Sequence, residues 1–151
     1  MNPDKLILLR SELDNLDKAA AYLATSLNRS GQLLGRTDLS PDELERLESM
    51  ASRFARLSDL LTQRVMRLLD DLELTPDGSL LDRIQRAEKR GWVHSAADLV
   101  RIRELRNLVA HEYAAERMGE IYAAIARLAP QLLDVVPKVR IYAEDLARRF
   151  A

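Results

Sequence analysis

The sequence contains no cysteine. That excludes disulfides, thiolate metal sites and cysteine nucleophiles. Aromatic residues make up only 5% of the chain and β-branched residues are sparse, and no period-2 segment reads as a strand. Glycine and proline number five each in 151 residues, which leaves few places to break a helix. No apolar run approaches the roughly 20 residues that span a bilayer. The segment Met1-Asn-Pro-Asp-Lys5 lacks the basic-then-apolar layout of a signal peptide. The expectation is a cytoplasmic protein with no membrane partner. A net charge of −1 argues against a generic nucleic-acid coat protein, while leaving room for a small basic site. Histidine occurs only twice, at His94 and His111.

What the sequence does contain is helix-forming: Ala, Leu, Arg and Glu dominate. At 151 residues it is long enough for one domain, 1–151, with a real core. Leu6, Leu9, Leu13, Leu16, Ala20, Leu23 and Leu27 recur at spacings of three and four, predicting an amphipathic helix from about Pro3 to Asn28 with Asn2 as its cap. Ser40-Pro-Asp-Glu43 reads as a capping box that opens a second helix running to about Asp71. Its buried face comprises Leu44, Leu47, Ala51, Phe54, Leu61, Val65, Leu68 and Leu72. Thr75-Pro-Asp-Gly78 separates it from a third helix, about Ser79–Arg90, which Gly91 terminates. Ser95-Ala-Ala-Asp98 reads as another capping box, starting a fourth helix to about His111. The last helix, about Glu116–Phe150, carries Pro130 and Pro137, and a kink or a break is expected there. The fold class is therefore all-α: an up-and-down bundle of about five helices.

The fourth helix holds the chemistry. Taking about 100° per residue with Arg103 at zero, Asn107 falls near +40°, His111 near +80°, Ala110 near −20°, Arg106 near −60° and Tyr113 near −80°. Ile102, Leu105, Leu108 and Val109 fall on the opposite side. The polar face holds cationic, amide, imidazole and phenol groups with no carboxylate at its centre. Ala110 and Ala114 leave space along it for a ligand or a partner helix. Arg106 and His111 sit on opposite rims, about 140° apart, so reaching one phosphate requires an inward-folded Arg106 or a second subunit. Asn107 and His111, at i and i+4, could also form an ordinary side-chain hydrogen bond, and Tyr113 could be a packing aromatic.

Two other features carry alternatives. On the second helix Arg46, Arg53, Arg56, Arg64 and Arg67 fall within an arc of about 80°. This strip reads as a nucleic-acid track, a partner-docking strip or, because Asp42 and Asp71 dilute it, a solvated face. His94, in the turn after Trp92, reads as a local hydrogen-bonding residue, and Trp92 as a packing residue. No metal site is expected, because His94 has no second ligand at suitable spacing.

Arg106-Asn-Leu-Val-Ala-His111-Glu-Tyr113 resembles the Arg-x4-His-x-Tyr motif of the HEPN superfamily, in particular the HepT-like toxins of toxin–antitoxin modules. The lead-in from Leu80 to Ser95 is similar to that family's preceding helix and turn, so the specific match covers about residues 80–113. The resemblance implies a type VII-like toxin: a metal-independent endoribonuclease, needing no cofactor, with a composite cleft at a homodimer interface. It implies that Arg106 stabilises the scissile phosphate and that His111 is the general acid/base. Arg103 and Asn107 would support them or contact the phosphate. RNA is the implied substrate, through attack by its 2′-hydroxyl. A minimal nucleotidyltransferase antitoxin is the implied partner, silencing the toxin by adenylylating Tyr113, which puts negative charge into a cationic cleft. The alternative is a non-catalytic HEPN subunit that binds substrate or nucleotide for a partner nucleotidyltransferase.

Overall fold

The computed structural model describes residues 3–75, 78–111 and 115–149. Among them all regular structure is helical. Helix α1 spans Pro3–Ser30 and ends in a 3-10 turn, Gly31–Leu33. Helix α2 spans Pro41–Asp59, a π-helical segment Leu60–Val65 follows without a break, and α3 spans Met66–Leu72. Then come α4, Leu80–Lys89; α5, Ala96–His111; and α6, Ala115–Arg149. Helices α1, α2 and α6 pack mutually, and α5 lies against α2, α4 and α6. The shared core contains Leu16, Leu23, Phe54, Leu61, Leu99 and Leu132.

The helix starts follow local chemistry, with one correction. Ser40 Oγ accepts the Glu43 N–H at 3.2 Å and Glu43 Oε1 accepts the Ser40 N–H at 3.0 Å, completing the expected capping box. A second box forms at Ser79, with Asp82 as its reciprocal partner. It requires glycine at 78, where a Cβ would sit 2.5 Å from Asp82 Oδ2. Ser95 does not build the expected box. Its hydroxyl accepts from Ala97 instead, and Glu88 reaches across from α4 to take the Ala96 N–H at 2.8 Å. The Asp98 carboxylate turns instead to Arg101, whose Nη2 donates to it at 2.6 Å. Asn2 lies outside the described residues.

Helix ends divide in the same way. Gly91 closes α4 with φ +76°, its following Trp92 N–H bonding back to the Ala87 carbonyl, as the sequence suggests. The same geometry ends α3, but with Leu74 at φ 56° in the glycine position. Leu44, expected in the core, is exposed.

The last helix is not broken. It runs through Pro130 and Pro137, both exposed. Each proline costs about 3 kcal/mol in a helix interior. Opposite them Ile125, Leu132, Val135, Val136 and Val139 are buried, each worth about 1.5–3 kcal/mol. The prolines are seven residues apart and so share one solvent-facing side, while the apolar stripe holds the other side on the core.

The π-helical segment is the feature that periodicity does not reveal. The Met66 N–H bonds to the Leu61 carbonyl, five residues back. Widening a helix this way frees carbonyls from the usual ladder. The buried guanidinium of Arg83, from α4, donates to the Thr62 carbonyl through Nε at 3.2 Å and to Gln63 Oε1 through Nη2 at 3.3 Å. The segment is thus held open by a cation from the neighbouring helix.

Candidate functional site

Helix α5 buries Leu99, Ile102 and Leu105, which fixes the direction of every polar side chain on it. Arg103 and Arg106, one turn apart, turn toward α2 and meet at Asp59. Arg106 donates to both carboxylate oxygens, Nε to Oδ1 at 2.8 Å and Nη2 to Oδ2 at 2.7 Å. Arg103 Nη1 donates to Oδ1 at 2.7 Å. Asp59 is the last residue of α2, immediately before the π-helical segment. The Arg106 guanidinium, ahead of Arg103, holds its carboxyl below the usual carboxylate range against the opposing effect of burial. Arg106 is correspondingly raised.

Asp59 was not anticipated. The polar face of α5 lacks a carboxylate of its own, but α2 supplies one. The available signal was that Asp59 is the only acidic residue between Glu48 and Asp70, in a stretch containing four arginines. Spacing within α5 alone could not show that Arg103 and Arg106 share a partner 44 and 47 residues away.

The clamp leaves Arg106 chemically competent. A guanidinium has five N–H donors, and the side-on pair uses Nε and one Nη2 hydrogen. Among the described residues the Nη1 end makes no hydrogen bond, and Asp59 fixes its orientation. The Nε of Arg103 is buried with no partner among the described residues. Two arginines against one aspartate leave the cluster cationic.

Asn107 and His111 are not brought into this cluster. Both are exposed, and the optional hydrogen bond between them does not form among the described residues. Leu108, placed on the apolar side by angle, is 41% exposed and lies beside them. The solvent face of α5 therefore presents Asn107, Leu108 and His111 together. Tyr113 lies outside the described residues. His94 is exposed and makes no side-chain hydrogen bond among the described residues, contrary to expectation.

A groove leads to Arg106. Leu33, Leu39, Leu44 and Met118 line a mainly apolar cavity of about 650 Å³ between the 3-10 turn, α2 and the start of α6. Glu48, Met118 and Tyr122 are shared with a hollow of about 320 Å³ that reaches Arg106 and Ala110. Burial, reinforced by nearby Glu48, pushes the Tyr122 hydroxyl above its ordinary range. Among the described residues no three His, Asp or Glu side chains come together as a metal site requires. No helix there is long and apolar enough to cross a membrane.

No protein-family model matches the chain, and neither a curated protein nor a solved structure does.

The Asp59 clamp has a pH signature. A carboxyl whose folded pKa is depressed stabilises the fold above its ordinary value, here 3.8, and loses that contribution as pH falls through the lower folded value. Asp59→Asn should therefore lower the urea midpoint at neutral pH, and the gap from wild type should narrow as pH drops below 3.8. A gap independent of pH would show that the carboxylate charge is not what holds the arginines.

Proposed function

We propose that the chain is a HepT-like endoribonuclease toxin. It acts as a homodimer whose composite, metal-independent site pairs Arg106 of one subunit with His111 of the other. The observation that carries this reading is the division of labour on α5. Arg106 is locked toward α2, and among the described residues its Nη1 end and the exposed His111 side chain make no hydrogen bond. A fixed cation suits the developing charge on a scissile phosphate. A solvent-facing imidazole suits proton transfer to a group that arrives from outside the subunit. Leu108, exposed beside His111, gives this face an apolar element that a symmetric contact would cover. Asn107 would orient the imidazole or the phosphate, and Arg103 would share the phosphate charge.

In the reaction His111 takes the proton of a ribose 2′-hydroxyl. The oxygen attacks the adjacent phosphorus, the 5′-oxygen leaves with the proton returned by the His111 imidazolium so formed, and a 2′,3′-cyclic phosphate results. The test is incubation of purified protein with single-stranded RNA in excess EDTA. Cleavage that leaves cyclic-phosphate ends is expected. A requirement for added divalent metal would contradict the reading. Silencing by a nucleotidyltransferase partner belongs to the same proposal: with ATP, that partner should add an AMP-sized mass to wild type and none to Tyr113→Phe.

One observation favours the second reading, a non-catalytic subunit serving a partner nucleotidyltransferase. Asp59 neutralises part of the arginine pair's charge, as it would if the cluster only joined α2 to α5. Such a protein would bind nucleotide or partner and leave RNA intact.

A further inference from the structure

Away from α5, the seam between α1 and α2 carries a second concentration of positive charge. Tyr22 is 57% exposed on α1. The Arg53 guanidinium from α2 lies over its ring, 5.4 Å from the centroid. One nitrogen fixes it there: Nη1 donates to the Tyr22 carbonyl at 3.1 Å and to the buried Ser26 hydroxyl at 2.7 Å. No carboxylate takes part, so the arginine keeps its full charge. Tyr22, Arg53, Arg56 and Ala19 line a surface hollow of about 220 Å³.

The surroundings are unusual for a chain of net charge −1. At helical spacing, Lys18 and Arg29 share the Tyr22 face of α1, and both are exposed. The α1 acids that could neutralise the seam are engaged elsewhere. Glu12 pairs with Arg64, while Asp14 and Asp17 are drawn to Arg140 on α6. On α2 the nearest acid toward its start, Glu48, falls about 140° round the helix from Arg53 and lines the hollow at Arg106; Glu45 and Asp42 stand two turns or more away. Lys18, Arg29, Arg53 and Arg56 make no ion pair among the described residues.

We infer that this seam is a binding surface for single-stranded RNA, distinct from the Arg106–His111 site. A base stacks on the open face of Tyr22 while Arg53 covers the other, and Arg56, Lys18 and Arg29 meet the phosphates. Stacking on an aromatic platform inside a cationic groove is how strands are held without regard to sequence. Arg56 stands one helical turn before Asp59, the residue that clamps Arg106, so a strand crossing the seam continues toward α5. The choice of RNA over another polyanion rests on the ribonuclease reading.

The test measures binding of a fluorescein-labelled oligoadenylate of about twelve nucleotides in the His111→Ala background, which keeps the strand intact. Arg56→Gln with Lys18→Gln alters exposed side chains that have no ion-pair partner among the described residues and should leave folding unchanged. It should weaken binding about tenfold and flatten the slope of log affinity against log salt by about 1.4, at about 0.7 per lost phosphate contact. Tyr22→Leu should weaken binding by a similar factor without changing that slope, and Tyr22→Phe should bind as the parent does. Unchanged binding in the folded Arg56/Lys18 and Tyr22→Leu variants overturns the inference. Equal competition by polyglutamate also overturns it, because the seam would then be a general anion surface. The two readings fail separately. Cleavage by wild type with binding indifferent to these variants removes the seam alone. Seam-dependent binding without any cleavage removes the ribonuclease reading alone.

Discussion

Replacing His111 by Ala is expected to slow RNA cleavage by about 100- to 10,000-fold, the usual contribution of a positioned general acid/base. The same change should leave stability within about 0.5 kcal/mol of wild type, as for a surface substitution away from special features. The two halves of this prediction come from one observation. His111 is exposed and its side chain has no hydrogen-bond partner among the described residues, so its removal breaks no described contact. A large effect on chemistry with none on unfolding isolates a functional role. An equally active His111→Ala protein would remove the imidazole from the reaction. Arg106→Ala is a less clean companion, because it also strips Asp59 of its bidentate partner.

The largest expected effect on the fold itself is at Asp70. This aspartate is only 4% exposed and ties α3 to α4 through two arginines. Arg86 donates to both of its oxygens, at 3.2 and 2.7 Å, and Arg90 adds a third bond at 3.1 Å. Arg90 is also flanked by two rings, its guanidinium carbon 5.1 Å from the Trp92 centroid and 5.3 Å from that of Tyr142. The Tyr142 hydroxyl donates in turn to Glu73. Asp70→Ala leaves two partly buried cations without their counter-charge. Breaking a buried pair from one side costs about 3–5 kcal/mol. Urea unfolding should report a loss of that size; a loss below about 1 kcal/mol would mean that the two arginines re-pair with Glu73 or solvent at little cost.

Particular residues show what was legible in advance. The all-helical class, the box at Ser40 and the stop at Gly91 each depend on side chains within one turn of where they act, and local pattern suffices for such features. Trp92 was legible as a packing residue, and it meets Tyr142 edge-on at 5.1 Å. What sequence periodicity could not supply is what another helix contributes. Glu88 accepts the Ala96 N–H at the start of α5, Arg83 props open the π-helical segment, and Asp59 collects Arg103 and Arg106. The strip of five arginines on the second helix failed as a unit for the same reason. The π turn shifts the angular register beyond Asp59, and Arg64 is taken by Glu12. Angular reading of α5 placed Arg106 and His111 apart, and the structure sends them to different neighbours, Arg106 to α2 and His111 to solvent. It misplaced Leu108, whose exposure now marks the same face as His111.

The composite arrangement is the centre of this account, and subunit mixing tests it most directly. A heterodimer purified through two different tags, with Arg106→Ala in one subunit and His111→Ala in the other, retains one intact Arg106–His111 pair if the site spans the interface. It should recover roughly half of wild-type RNA cleavage, although each variant homodimer is inactive. A heterodimer as inactive as its parents would show that Arg106 and His111 do not act across the interface.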